Sequence, residues 1–231
     1  MKNYLKTYYS EAMRPKSDYP EKLAKHLTVL YLDDSHDSIV DIACGRGDYL
    51  RAFSGLKKQI VGVDIDPDAV EMCKPNHVII QDIGKGKLPF SDANFDVVFN
   101  KSIIEHLHNP EVLLEEASRL LRKDGLVITM CPSWVHTGWG PFYQDHTHVT
   151  PFVLPSLRDI HLKTGFEIVN ICHFRQLPLL WKYPWLKLFT EIIRKLPLPY
   201  SPQHRVSFTD SVNKTVRFSN EVMLLCVARK I

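Results

Sequence analysis

Short apolar runs, each ending on glycine or an acid, recur along the first half of the chain. The run from Ile39 to Cys44 is rich in β-branched residues, as expected of a strand covered on both faces. It closes on Gly45-Arg46-Gly47-Asp48, where two glycines allow a sharp turn and close backbone approach to a ligand. Asp48 is placed to cap a helix over Tyr49 to Phe53, whose N-terminus points at the same ligand. A second run, Ile60 to Val63, ends in Asp64, and a third, His77 to Gln81, ends in Asp82. In an open parallel sheet these three strand ends share one edge, and such folds bind ligands there.

The periodicity continues downstream. Gly84 to Asn94 reads as a loop, and Phe95 to Phe99 as a fourth strand delivering Asn100, Lys101 and Ser102 to the ligand edge. Pro110 opens a helix with apolar positions from Val112 to Leu121, closed by Lys123-Asp124-Gly125. A fifth strand spans Leu126 to Cys131. Pro132 to Thr150 has no clear period and is long for a loop, the mark of a functional segment or lid. A helix near Leu154 to Thr164, a strand near Glu167 to His173, an insertion over Leu177 to Leu196 and a last strand in Glu221 to Arg229 complete the pattern. Upstream, Tyr4, Leu5, Tyr8, Tyr9, Ala12 and Met13 repeat at helical spacing, as do Leu23, Ala24, Leu27 and Leu30 after Pro20.

The glycine turn bears on which nucleotide fits. A dinucleotide fingerprint needs a third glycine where this chain has Leu50. Asp41, four residues before Gly45, would repel a pyrophosphate but can hold a cationic amino group. Asp64 lies 17 residues past Gly47, near the roughly 20 at which an acid meets a ribose diol. With D-I-A-C-G-R-G, V-G-V-D-I-D, Q-D-I, F-D-V-V-F-N-K-S-I-I-E-H-L-H-N-P and L-L-R-K-D-G-L-V-I-T in this order, the chain resembles the class I S-adenosylmethionine-dependent methyltransferases, chiefly over residues 36–131. Within them it is most similar to type 11 members and bacterial glycan and lipid O-methyltransferases.

The resemblance implies an α/β fold with a Rossmann-like seven-stranded, mostly parallel sheet, helices on both faces and an antiparallel last strand. Residues 1–34 form an N-terminal helical cap, and 35–231 the methyltransferase domain, with a helical insertion at about 175–217. S-adenosylmethionine is the implied cofactor. Asp41, Gly45, Gly47 and Asn100 would hold its methionine end, Asp64 the ribose, Ile65 an adenine face, and Asp82 with Ile83 the adenine edge. Members acting on amide or base nitrogens carry N-P-P-Y or D-P-P-Y after the fourth strand; Asn100-Lys101-Ser102-Ile103 here favours an oxygen acceptor on a small molecule, saccharide or lipid-linked substrate.

A hydroxyl acceptor needs a base, and imidazole titrates near neutrality. His106 matches a histidine common in the family after the fourth strand. Asp145-His146-Thr147-His148 resembles the family's D-x-T-H-x-x-P-F segment, which aligns His148 and leaves His146 as a departure. The base is therefore expected to be His148 or His146, with Asp145 orienting the ring. Those three side chains are an alternative metal site, but a further ligand is not evident and no metal is assigned. A non-catalytic cofactor-binding partner and a nicotinamide-dependent oxidoreductase are the rival readings.

Composition adds compartment and surface. At 231 residues, with 45% apolar and 24% charged residues, the chain can bury a full core. The net charge of +3 is uneven, since residues from Asn170 onward carry ten Lys or Arg against three Asp or Glu. No nucleic-acid recognition module stands out. The five cysteines are scattered without a C-x-x-C pair, as in a reduced cytoplasmic protein. The N-terminus lacks a signal-peptide core, and no apolar run is long enough to span a membrane. From Pro184, residues Trp185, Leu186, Leu188, Phe189, Ile192, Ile193 and Leu196 fall on one helical face, with Lys187, Thr190, Glu191, Arg194 and Lys195 opposite. Such a helix packs on its own domain, roofs a pocket, pairs with another subunit or makes peripheral membrane contact through residues 177–196. The oligomeric state is not read from the sequence.

Overall fold

A computed structural model describes residues 5, 15–56, 59–200 and 208–231. Seven strands form one sheet: β1 (Ser38–Ile42), β2 (Gln59–Asp64), β3 (His77–Ile80), β4 (Phe95–Lys101), β5 (Leu121–Pro132), β6 (Phe166–Phe174) and β7 (Met223–Lys230). Their order is β3-β2-β1-β4-β5-β7-β6. The first five pair in parallel, while β7 runs antiparallel between β5 and β6, so the expected sheet and its reversed last strand are present. All five parallel strands therefore end on one edge.

Nine helices flank the sheet among the described residues: α1 (Tyr19–Tyr31), α2 (Asp48–Ser54), α3 (Asp68–Met72), α4 (Glu111–Leu120), α5 (Trp134–Thr137), α6 (Leu154–Lys163), α7 (Pro178–Lys182), α8 (Lys187–Lys195) and α9 (Phe208–Asn220). Alternate strand residues divide the core, as the two-residue period requires. Val40, Ile42, Val98 and Val127 pack with Leu113, Leu114 and Ala117 of α4 and Leu157 of α6. Ile39, Val97, Phe99 and Ile128 pack on the other face with Leu23, Ala24 and Leu27 of α1 and Phe53 of α2. Phe53 meets Phe99 edge-on at 5.2 Å between ring centres, and truncating either buried ring costs about 3–5 kcal/mol.

Several expectations need correction. Leu121 begins β5 rather than ending α4, and the Lys123-Asp124-Gly125 turn is absorbed as an irregularity in the pairing with β4, with Asp124 at a φ of 65°. The segment after β5 is not featureless, since it holds α5 and a 3-10 turn over Pro141–Gln144. The insertion is not one helix from Pro184 but α7, a 3-10 turn over Pro184–Leu186, and α8, because Pro184 cannot continue the preceding helix. Helix α9 is absent from the periodic reading. Among the N-terminal positions singled out, only Leu5 is described; Tyr4, Tyr8, Tyr9, Ala12 and Met13 lie outside the described residues.

Candidate functional site

The turn after β1 is built on backbone conformations that L-residues rarely adopt. Ala43, Gly45 and Gly47 take φ values of 64°, 56° and 77°. Ala43 and Cys44 both donate backbone N–H to the Val63 carbonyl, at 2.7 and 3.0 Å, which folds the turn over the end of β2. Gly47 has a reason that the ligand argument did not anticipate: a Cβ there would stand 2.6 Å from Cys73 Sγ, so the glycine makes room for the protein itself. Asp48 does not cap α2. It is the first helical residue, and its carboxylate instead pairs with Arg46 and Arg51, at 2.6 Å each. Leu50, where a dinucleotide fold needs glycine, is buried with Cys44, Ala69 and Cys73.

Two carboxylates lie beneath this turn. Asp41 is only 2% exposed, and its Oδ2 is buried without a hydrogen-bond partner. Burial, and next the Asp64 charge, push its carboxyl up to about 8. Asp64 is also raised by burial, and it accepts the N–H groups of Gly45 at 2.7 Å and Asp66 at 2.9 Å. It therefore holds the glycine turn as well as facing the strand ends. Ile65 follows with an exposed side chain, as an adenine-stacking residue requires. Asp82 caps the 3-10 turn Ile83–Lys85 by accepting the Gly84 N–H at 2.9 Å. Ile83 differs from expectation, since its side chain joins the core and only its backbone remains for a ligand edge.

Asn100 also differs. Its Nδ2 donates to Thr129 Oγ1 at 3.1 Å, and Thr129 in turn lies 3.1 Å from His161 Nε2. His161 Nδ1 donates to the Leu157 carbonyl at 2.7 Å, so its Nε2 is the acceptor of the Thr129 hydroxyl. Burial lowers the His161 pKa to about 4 and keeps this ring neutral. Asn100 is thus committed to the interior by its amide nitrogen, leaving a buried, unpartnered Oδ1.

A second cluster joins the segments that follow β4 and β5. The Glu105 carbonyl accepts the N–H groups of Val149 at 2.9 Å and Thr150 at 3.0 Å, tying the two segments together. Ser102, at the end of β4, takes a φ of 59° as the chain enters this region. The Nδ1 of His106 lies 2.8 Å from Thr147 Oγ1, and Thr147 donates its hydroxyl to Asp145 at 2.5 Å. His148 Nδ1 donates to the Phe142 carbonyl at 2.6 Å. The two imidazoles meet edge to face, 4.6 Å between ring centres. Burial, then the neighbouring His148, lower the His106 pKa to about 4. Asp145 therefore steadies His106 through Thr147, while the His148 ring is held by the Phe142 carbonyl. His146 is exposed and is not among the three side chains whose ligand atoms converge.

Glu105 was overlooked in the sequence, although an acid inside the apolar run Ile103-Ile104-Glu105 was a usable signal. It is fully buried, and neither carboxylate oxygen has a hydrogen-bond partner. Burial pushes its carboxyl up to about 8. Ligand atoms of Glu105, His106 and His148 all lie within 4.8 Å of one another. Asp66 was also overlooked; its carboxylate accepts the Leu5 N–H at 3.1 Å and holds that residue beside the glycine turn.

Residues 40–129 match the family described as Methyltransferase domain. A probable S-adenosylmethionine-dependent methyltransferase of Mycobacterium tuberculosis is 27% identical over 142 residues, covering 58% of this chain and 50% of that protein. A ubiquinone biosynthesis O-methyltransferase of Glaesserella parasuis is 25% identical over 130 residues, covering 49% of this chain and 55% of that protein. The chain thus spans about half the length of the curated relatives it matches. The solved structure of an S-adenosylmethionine-dependent methyltransferase from Archaeoglobus fulgidus has the same fold, with a TM-score of 0.66 and 20% identity, covering 97% of this chain and 99% of that one. Residues 40–129 thus carry a methyltransferase domain, and the ordered motifs and seven-stranded sheet around it are those expected of a class I S-adenosylmethionine-dependent methyltransferase.

Proposed function

We propose that the protein transfers the methyl group of S-adenosylmethionine to a hydroxyl oxygen of a lipid-linked or similarly apolar-anchored acceptor, a saccharide or a small molecule being the head that is modified. The observation that carries the oxygen assignment is the convergence of Glu105, His106 and His148 on the strand-end edge. Each imidazole donates through Nδ1, so each Nε2 keeps its lone pair for an acceptor hydroxyl. A neutral hydroxyl is a poor nucleophile until its proton is drawn away, and a group of buried acceptors beside the sulfonium does that.

In this reading Asp41 receives the methionine ammonium, Asp64 the ribose hydroxyls and Ile65 an adenine face, with Asp82 at the adenine edge. Gly45 and Gly47 shape the turn against the methionine half, the backbone at Ile83 meets the adenine, and Asn100 supports that wall from below. A buried, unpartnered carboxylate is costly in the free protein and is offset by a bound cation. The domain boundary is drawn near residue 35, and an N-terminal cap over the site is supported by Leu5, which lies beside Gly45. Alignment of the methyl with the acceptor oxygen supplies much of the rate.

A lipid-linked acceptor is supported by the insertion at about 175–217. The apolar residues Trp185, Leu188, Phe189, Ile192 and Leu196 are exposed. A cleft of about 360 Å³ opens between Val135 and Trp139 on one side and Arg194, Lys195 and Leu198 on the other, joining apolar and basic groups at its mouth. Among the described residues no helix is long and apolar enough to cross a membrane, so contact through this insertion would be peripheral.

The test is methyl transfer from labelled S-adenosylmethionine into a membrane lipid extract and into a water-soluble glycan fraction. Label in the lipid fraction that resists alkali, as an ether does, is expected. Label recovered on an amine would overturn the oxygen assignment. Tight binding of S-adenosylhomocysteine with no transfer to either fraction would instead favour a non-catalytic partner protein.

A further inference from the structure

We propose that Glu105, His106 and His148 form a divalent-metal site whose open position takes the acceptor oxygen. The proposal rests on the reading of the protein as an oxygen methyltransferase and names how its acceptor is activated. The donor set comes first. His148 Nδ1 faces a carbonyl, which only accepts, so its proton sits there and Nε2 is a lone pair. Thr147 gives its hydroxyl proton to Asp145, so it accepts from His106 Nδ1, and His106 Nε2 is a lone pair too. Two lone-pair nitrogens and a buried carboxyl group thus converge.

Hydrogen bonding within the trio does not resolve this. His148 Nε2 and Glu105 Oε1 are 4.0 Å apart, beyond the range of a hydrogen bond. Ligands on one tetrahedral zinc stand about 3.4 Å apart, from bond lengths near 2.1 Å. The observed separations, all within 4.8 Å, therefore need only a modest closure around an ion. Glu105 provides an independent observation, since both oxygens of a fully buried carboxyl group lack a partner and a bound cation would satisfy them.

The outer partners fit the same role. Metal-bound imidazoles commonly donate their other N–H to a carbonyl or, directly or through a relay, to a carboxylate, which fixes tautomer and ring plane. Phe142 does this for His148, and Thr147 with Asp145 does it for His106. Two nitrogens and one carboxylate suit zinc or a neighbouring first-row ion better than magnesium or calcium, which favour oxygen ligands. Three protein ligands with a fourth position open is the catalytic pattern. An acceptor hydroxyl bound there loses its proton to water more readily. Its oxygen then forms a bond to the methyl carbon while the carbon–sulfur pair leaves with sulfur, giving S-adenosylhomocysteine.

The experiment strips the full chain with a chelator and titrates it with Co²⁺ and Zn²⁺, alongside calorimetry with S-adenosylhomocysteine. One ion per chain is expected, with the visible absorption of low-coordinate cobalt. Glu105→Gln and His148→Ala should each weaken uptake at least about 100-fold, and Thr147→Val about 10- to 100-fold by losing an outer partner. Retained S-adenosylhomocysteine binding reports that the variants are folded. Failure of the wild-type chain to take up either ion, or stoichiometric uptake indifferent to both ligand substitutions, would overturn the site. Undiminished transfer by metal-free protein would overturn its catalytic part and leave oxygen methylation standing. Absent S-adenosylhomocysteine binding by the wild type would count against the methyltransferase reading, while the metal titration is read independently.

Discussion

Glu191 on α8 pairs with Arg175 at the end of β6, and this pairing places the polar side of the helix against the domain. Arg194 adds a second contact to Glu191 at 3.3 Å, and Thr190 beside them in the chain is buried. The apolar side consequently faces outward, with Leu188 67% and Phe189 52% exposed. An ordinary surface helix has the opposite arrangement.

Exposed residues on that face contribute little to folding, so Leu188→Asp and Ile192→Asp should each shift unfolding by less than about 0.5 kcal/mol. Flotation with phosphatidylglycerol vesicles should be lost in the double variant. Equal flotation of wild type and variant, or none by either, would remove the membrane reading.

Asp41 supplies a pH signature. Its carboxyl is pushed up to about 8 in the fold, against the ordinary 3.8 when unfolded. Between those values the folded chain holds a proton that the unfolded chain has lost, so stability falls as pH rises, by up to about 1.4 kcal/mol per unit. Asp41→Asn removes this term. Denaturant melts of wild type and variant should diverge from pH 4 to 8, as rough limits of that window, with the variant gaining relative stability, while S-adenosylmethionine binding weakens. Parallel pH profiles would show that Asp41 ionises freely.

Gly47→Ala combines a left-handed backbone with a Cβ 2.6 Å from Cys73 Sγ. A loss of about 2–4 kcal/mol is expected from strain and overpacking. Adding Cys73→Ala should recover the steric share and not the backbone share, which a thermal melt of the double variant resolves.

Arg119 links the loop before β4 to α4. It donates to Glu116 at 2.6 and 2.8 Å, to Asp92 at 2.6 Å and to the carbonyls of Leu88 and Phe90. Arg119→Met leaves the buried Glu116 carboxylate uncompensated and should cost about 3 kcal/mol. A loss under about 1 kcal/mol, the scale of a surface pair, would mean that solvent reaches Glu116.

The parallel strands, α4 and the acid-and-glycine strand ends were legible because each depends on local pattern. Ile39 to Ile42 and Ile60 to Val63 are apolar whatever surrounds them, and in a parallel sheet the strand direction alone carries Asp64 and Asp82 to one edge. Helix α9 was not legible. Its sequence, FTDSVNKTVRFSN, is made mostly of β-branched, aromatic and small polar residues that favour a helix weakly, and packing of Val216 and Ser219 overrides that preference.

What only the tertiary structure decided is where side chains point outside regular elements, and which face of a helix turns inward. His146 and His148 are two residues apart, yet one is exposed and the other is drawn in by the Phe142 carbonyl across the fold of the same segment. Glu105 joins the cluster because its own carbonyl binds Val149 and Thr150, a contact between two loops that no local period encodes. For α8 the amphipathic pattern marked two faces, but the choice between them came from Arg175, on another element. Periodicity is a property of neighbouring residues, whereas these orientations are set by partners that the chain meets only once it has folded.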